Sequence, residues 1–330
     1  MEVSEMCTVF TDIEEVTGIA AKNYDCFIDG GMIFTNRRNM MKKSLVMPPE
    51  KEFSWISQYG SVTFSQSGKG MPSCGINEKG LIVEQATLPE TKYTEKDERA
   101  EISCLETIQY LLDTCITVEH AIKSFQNFRI SNNSAKIHYF LMDKEGNKGI
   151  VEFLDGSINY ISVNDRLPII TNSNYRDVSF QKGTYSSEYE ENSFIRFEIV
   201  KSELHKGGKM TIDRAFTILE KVKRKDTIWS IVYDLNQNRI YFKYGMQGKK
   251  MIDLNVIDYG ETAASYLYDM ESEEEFHWQP YCREMNRKNI ERFYGNQRVL
   301  QILKLPDAKF VIDAIDHHIN QIEERKNNSV

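Results

Sequence analysis

Residues 7–25 open with Cys7-Thr8-Val9-Phe10, pass through a polar stretch holding Asp12, Glu14, Glu15 and Gly18, and continue as Ile19-Ala20-Ala21-Lys22-Asn23-Tyr24-Asp25. Two short apolar-rich runs around a polar, glycine-containing segment mark a β-hairpin. If the runs pair antiparallel, the midpoint falls near Val16 and Asp25 returns roughly opposite Cys7. The hairpin then brings a cation, Lys22, and a carboxylate, Asp25, to the start of the strand that carries a thiol. A thiol attacks as its thiolate, and a free α-amine with a pKa of about 7.7–8.0 can serve as its base near neutrality. On this reading Cys7 is a nucleophile once the residues before it are gone, Asp25 holds its α-amine, and Lys22 favours the thiolate. Taken alone the trio is ordinary, because cysteine, lysine and aspartate on strands are more often structural than catalytic.

Working outward, the chain up to about residue 159 reads as short strands broken by turns. Residues 61–64 and 81–85 are expected strands, the second introduced by Asn77-Glu78-Lys79-Gly80. The period then changes: Ile102, Leu105, Ile108, Leu111 and Leu112 recur at helical spacing, as do Val118, Ala121, Ile122 and Phe125 after Thr117. Strands resume at residues 137–142, 149–153, 158–163 and 168–171. A second helical pair is predicted over 194–204 and 213–222, followed by a hairpin at 228–233 and 239–244. Strand blocks interleaved with helix pairs predict two sheets covered by helices, a layered α+β domain.

The last stretch differs. After the acidic run at Glu271–Glu275, residues 289–303 and 307–325 are helical in pattern. In the second, Phe310, Val311, Ala314, Ile315, Ile319 and Ile322 form one apolar stripe, and Asp307 is a plausible N-cap after Pro306. This tail is expected to pack on the core, cover the site or make a homo-oligomer contact.

Composition narrows the function. A chain of 330 residues, 41% hydrophobic and 27% charged, buries one large core or a core with an appendage. No run approaches the roughly 18 apolar residues of a membrane span, and the first 20 residues lack a secretory pattern, so the expected location is cytoplasmic, without a membrane partner. The six cysteines include no CxxC pair, which argues against a disulfide framework and against a zinc site. A net charge of −8 and a pI near 5.5 argue against nucleic acid as a partner. The basic residues between Lys221 and Lys225 read as a solvated helix end. Ser67-Gly68-Lys69-Gly70 lacks the leading glycine and the trailing Ser/Thr of a phosphate loop. His317 and His318 are adjacent, so both rings cannot share one helix face as metal ligands. Asn132-Asn133-Ser134 fits a glycosylation acceptor but carries no weight without a secretory signal.

Four ordered segments carry a resemblance. Cys-Thr-Val-Phe with Ala-Lys-Asn-Tyr-Asp at residues 21–25 resembles the opening of the choloylglycine hydrolase and penicillin V acylase family of N-terminal nucleophile hydrolases. Gly75-Ile76-Asn77-Glu78-Lys79-Gly80-Leu81 is similar to that family's most recognisable internal string. Ile169-Ile170-Thr171-Asn172-Ser173 resembles its Thr-Asn-Ser strand end, and Phe194-Ile195-Arg196 a later helix. The order agrees from Cys7 to about Tyr244, leaving the tail unexplained.

The resemblance implies a four-layer αββα fold over residues 7–260 and a helical C-terminal extension over 261–330, with residues 1–6 absent from the active form. It implies cleavage of a linear, non-peptide amide in a small-molecule N-acyl substrate, through a thioester and with no cofactor or metal. Cys7 falls on the nucleophile, Asp25 on the aspartate that binds the α-amine, Asn172 on the side-chain donor of the oxyanion hole, and Thr87 on the position whose backbone N–H completes it. Two departures stand out. Lys22 replaces the usual arginine, and Ser193 stands where a second arginine is expected. Arg196, three residues further along the helix, is the candidate to supply that guanidinium, its plainer reading being a helix-surface ion pair. An acyltransferase on the same scaffold and a non-catalytic binding protein retaining the fold are the alternatives. Either catalytic reading requires a free amine on Cys7, reached by self-cleavage, by another protease, or by translation starting at Met6.

Overall fold

The computed structural model describes residues 6–13, 18–180, 185, 187–266, 276–305 and 307–324. Residues 1–5, Glu14 and Glu15 of the first turn, the acidic run at Glu271–Glu275 and Pro306 lie outside the described residues.

The opening hairpin forms, with Met6–Thr11 antiparallel to Ile19–Asp25. Its register differs by one residue from the sequence expectation: Cys7 lies opposite Tyr24, and Asp25 opposite Met6. One residue is decisive because side chains alternate between faces of a strand. Cys7 and Val9, with their partners Tyr24 and Lys22, project to one side; Thr8 and Phe10, with Asn23, Ala21 and Asp25, project to the other.

The hairpin belongs to a six-stranded sheet in the order Ile169–Ile170, Met6–Thr11, Ile19–Asp25, Thr227–Asp234, Arg239–Tyr244, Lys250–Asp253. A nine-stranded sheet runs Ser157–Ser162, Lys148–Leu154, Ile137–Met142, Ile82–Thr87, Cys74–Asn77, Ser61–Ser65, Met32–Asn36, Ala263–Tyr266, Gln279–Pro280. Alternation along the strands sorts the core into layers. Cys7, Val9 and Tyr24 of the first sheet meet Ile76, Ile82, Ala86 and Phe140 of the second in a shared interior. Leu81, Val83, Tyr139 and Leu141 turn outward, against the helices Cys104–Thr114 and Val118–Ser124. On the far side Phe10, Ile19 and Ala21 meet Phe197, Val200, Ala215 and Leu219 of the helices Glu188–His205 and Ile212–Lys221. Helix, sheet, sheet, helix is the αββα sandwich. Each large side chain fully buried in these layers contributes roughly 1.5–3 kcal/mol.

Local sequence fixes the helix starts. Ser103 and Glu106 form a reciprocal capping box at the first helix, and Thr117 and Thr211 cap two others. The Met32–Asn36 strand escapes a sequence reading because all five residues are buried, which erases period-two alternation.

The second sheet runs on past residue 260 through Ala263–Tyr266, which pairs with Met32–Phe34. Three helices follow, Arg283–Tyr294, Gln297–Ile302 and Ala308–Glu324. Asp307 Oδ1 accepts the Phe310 N–H at 2.8 Å, as an N-cap does. The buried stripe of the last helix includes Ile312, while Phe310 is exposed.

Candidate active site

Ile169 and Ile170 pair with Phe10 and Val9, so the antiparallel run brings Thr171 and Asn172 to the start of the first strand. There the Cys7 N–H donates to Asn172 Oδ1 at 3.1 Å, and Asn172 Nδ2 donates to the Thr87 carbonyl at 3.0 Å. Cys7, Asn172 and the Thr87 backbone, 165 residues apart at the extremes, therefore converge. Cys7 is wholly buried and Met6 is buried beside it.

Arg196 turns inward and is buried, and among the described residues it makes no surface ion pair. Its Nη1 donates to the Cys7 carbonyl at 2.5 Å and to Thr8 Oγ1 at 2.7 Å, its Nη2 to Asn172 Oδ1 at 2.7 Å, and its Nε to Asn192 Oδ1 at 2.9 Å. A planar fork is needed for this: one side chain grips the backbone of Cys7 and the amide next to it. Burial lowers the guanidinium pKa, against the raising effect of Asp25. Ser193, one helical turn earlier on the same face, fills the space where an arginine was expected. Its Oγ accepts from the Asn172 N–H at 2.8 Å and from Ser173 Oγ at 2.9 Å, and donates to Thr171 Oγ1 at 2.9 Å.

The one-residue register places Asp25 on the helix-side face, away from the Cys7 thiol and toward Arg196 and Thr227. Thr227 Oγ1 donates to Asp25 Oδ1 at 2.5 Å. Oδ2 has no hydrogen-bond donor among the described residues, and its ion-pair contact there is Arg224 Nε at 3.8 Å. Burial raises the Asp25 pKa to about 7, with Arg196 the chief opposing influence.

Lys22 shares the inner face with Cys7 but is engaged elsewhere. Its Nζ lies 2.6 Å from Glu84 Oε2 and donates to the carbonyls of Gln85 at 3.1 Å and Ser73 at 3.3 Å. Both side chains of the pair are fully buried. Burial by itself would lower the lysine, but Glu84 and then the Cys74 and Cys7 thiols outweigh it, so the ammonium is held above its ordinary value. Sequence reasoning missed Glu84; an acid at an inward position of an apolar strand, Ile82-Val83-Glu84-Gln85-Ala86, is the available signal.

It also missed a second buried pair. His138 Nδ1 lies 3.1 Å from Glu152 Oε1, its Nε2 is 2.9 Å from the Thr171 carbonyl, and the same Glu152 oxygen accepts the Tyr175 N–H at 2.8 Å. The pair ties the second sheet to the chain on both sides of Asn172. Among the described residues no group of three His, Cys, Asp or Glu is placed to hold a metal, and no helix is long and apolar enough to cross a membrane. All six cysteines are free thiols.

The Cys7 backbone, the Asn172 amide, the Thr87 carbonyl and the buried Arg196 guanidinium thus meet at one point. Residues 14–249 match the family described as acyl-coenzyme A:6-aminopenicillanic acid acyl-transferase. The chain belongs to this family. A penicillin V acylase from Pectobacterium atrosepticum is 33% identical over 135 residues, which is 36% of each chain, so this acyl-transferase family member matches about a third of that relative. Among solved structures, penicillin V acylase from Agrobacterium tumefaciens superposes with a TM-score of 0.66 at 24% identity, over 78% of this chain and 90% of that one. A variant of conjugated bile acid hydrolase from Clostridium perfringens gives 0.59 at 14% identity, over 84% and 98%. These likenesses establish that the αββα fold is shared. The residues matched to the family stop short of the three C-terminal helices.

Proposed function

We propose that this protein hydrolyses a linear amide of a small N-acyl compound, with Cys7 as nucleophile and its own released α-amine as base. The observation that carries the reading is the convergence of the Cys7 backbone, Asn172, the Thr87 carbonyl and Arg196. After removal of residues 1–6, the amine takes the thiol proton and the thiolate attacks the substrate carbonyl. The bond from Asn172 Nδ2 to the Thr87 carbonyl fixes the plane of the amide, and in this reading that amide is the side-chain donor to the developing oxyanion. The C–N bond breaks as the α-ammonium protonates the leaving nitrogen, and water then cleaves the thioester with the amine again as base.

Relatives named for penicillin V and conjugated bile acid point to apolar acyl groups joined to a polar amine or amino acid. The family's own name favours a second reading, in which an amine acceptor replaces water in the last step.

The test is a panel of penicillin V, conjugated bile acids and N-acyl amines, assayed on protein whose intact mass is known. Hydrolysis is expected from chains beginning at Cys7 and is expected to be lost in Cys7→Ala. Added amine acceptor diverting product from acid to new amide would move the reading to acyl transfer. Full activity with Met1 still attached would refute the N-terminal nucleophile mechanism, and a protein inert toward thiol-directed acyl probes would favour a non-catalytic binding protein.

A further inference from the structure

Lys22 stands where a cation was expected to activate the nucleophile, yet an ammonium has three hydrogens and all three have destinations. Glu84 Oε2 at 2.6 Å, the Gln85 carbonyl at 3.1 Å and the Ser73 carbonyl at 3.3 Å use them. Lys22 therefore keeps no hydrogen of its own for the Cys7 sulfur. Glu84 meanwhile faces into the interior between the sheets. Its cross-strand partner is Cys74, and Tyr233 lies against it from the first sheet. Lys22 is the diagonal neighbour of Cys7 across the hairpin, a separation of about 7–8 Å, and its ammonium lies 5.4 Å from the ring centre of Tyr24, the residue opposite Cys7.

We propose that Glu84 is a positioning residue that closes Lys22 into a neutral pair, so that the cation beside Cys7 is cancelled at the sulfur and the thiol stays unreactive until the α-amine is released. This rests on the Cys7 nucleophile reading above. The groups facing the Cys7 side are Lys22, Glu84, Cys74 and Tyr233 in the interior, with Arg196 and Asp25 on the helix side. The arrangement separates two tasks. Lys22 ties the two sheets together through carbonyls on either side of the site, and the proton chemistry is left to the amine. A bare cation in this dry layer would instead lower the pH at which the thiol ionises, exposing a permanent thiolate to oxidants and stray electrophiles.

The experiment is a charge cycle read at one atom. Alkylation of Cys7 by iodoacetamide is followed against pH by peptide mass mapping in the full chain, in Glu84→Gln, in Lys22→Met, and in the double variant. Removing the acid alone is expected to lower the alkylation midpoint by about one to two pH units, as one uncancelled charge at this range does. Removing the lysine alone is expected to raise it by a similar amount, and the double variant, neutral again, to return close to the parent. An unmoved or raised midpoint in Glu84→Gln overturns the proposal. Where Glu84→Gln fails to fold, because it strands a buried ammonium, the double variant decides: a midpoint as high as that of Lys22→Met overturns it. The substrate panel is run on the same four sequences begun at Cys7. No hydrolysis by the parent so begun, with a full charge cycle, refutes the hydrolase reading alone, and hydrolysis with a flat cycle refutes the pairing alone.

Discussion

Replacing Asp25 with asparagine isolates the energetic consequence of a buried carboxyl that lacks a full partner. Burial lifts its pKa from 3.8 to about 7 in the folded chain with Met6 in place. A carboxyl with a raised folded pKa binds more protons folded than unfolded, so its contribution to stability is greatest below the unfolded value and falls as pH climbs toward the folded one. Between pH 5 and pH 8 the two titrations separate by a factor on the order of 10² in the folding constant, or roughly 2–3 kcal/mol lost. The substituted side chain cannot ionise, and an amide is close in shape to the protonated acid. The difference between parent and Asp25→Asn is therefore expected to favour the variant by about 2 kcal/mol at pH 5 and by about 4 kcal/mol at pH 8. Urea unfolding at both values measures it, and subtracting the variant removes the histidines common to both. In a chain beginning at Cys7, an α-ammonium beside Asp25 should keep the carboxylate charged and abolish the slope. Parallel pH dependences for parent and variant in the unprocessed chain would refute the assignment of Asp25 as an under-partnered acid.

Asn172→Ala is expected to fold and to lose about 10² to 10³ in kcat on any N-acyl substrate found, the cost of one oxyanion donor; unfolding with normal activity per folded molecule would make it a strand-end brace only. Arg196→Lys should lose about tenfold or more in kcat while circular dichroism is unchanged, because one ammonium cannot reach the Cys7 carbonyl, Thr8 Oγ1 and Asn172 Oδ1 together. Glu323→Ala should cost about 3–5 kcal/mol in urea unfolding, since its carboxylate joins the last helix to the buried cations Arg37 at 2.9 Å and Lys69 at 3.3 Å.

The opening hairpin, the helix cap at Asp307 and the layered α+β architecture are legible in the sequence. They depend on contacts within a few residues or on a periodicity that a linear reading can follow. Cys7, Asn172 and Thr87 are named from ordered motifs, and Arg196 from its place one turn beyond Ser193. The register of the hairpin is not legible, because the spacing of the two runs leaves it open by a residue and one residue reverses every face. That single step places Asp25 with the helices and Lys22 with the interior. Partners more than fifty residues away along the chain then decide what each charge does: Glu84 takes up the lysine that sequence assigns to the thiol, and Arg196 reaches the site because its helix packs over the strand bearing Cys7. Types and order of residues set the chemistry that is available; the meeting of two sheets sets which charges cancel, and no local pattern encodes that.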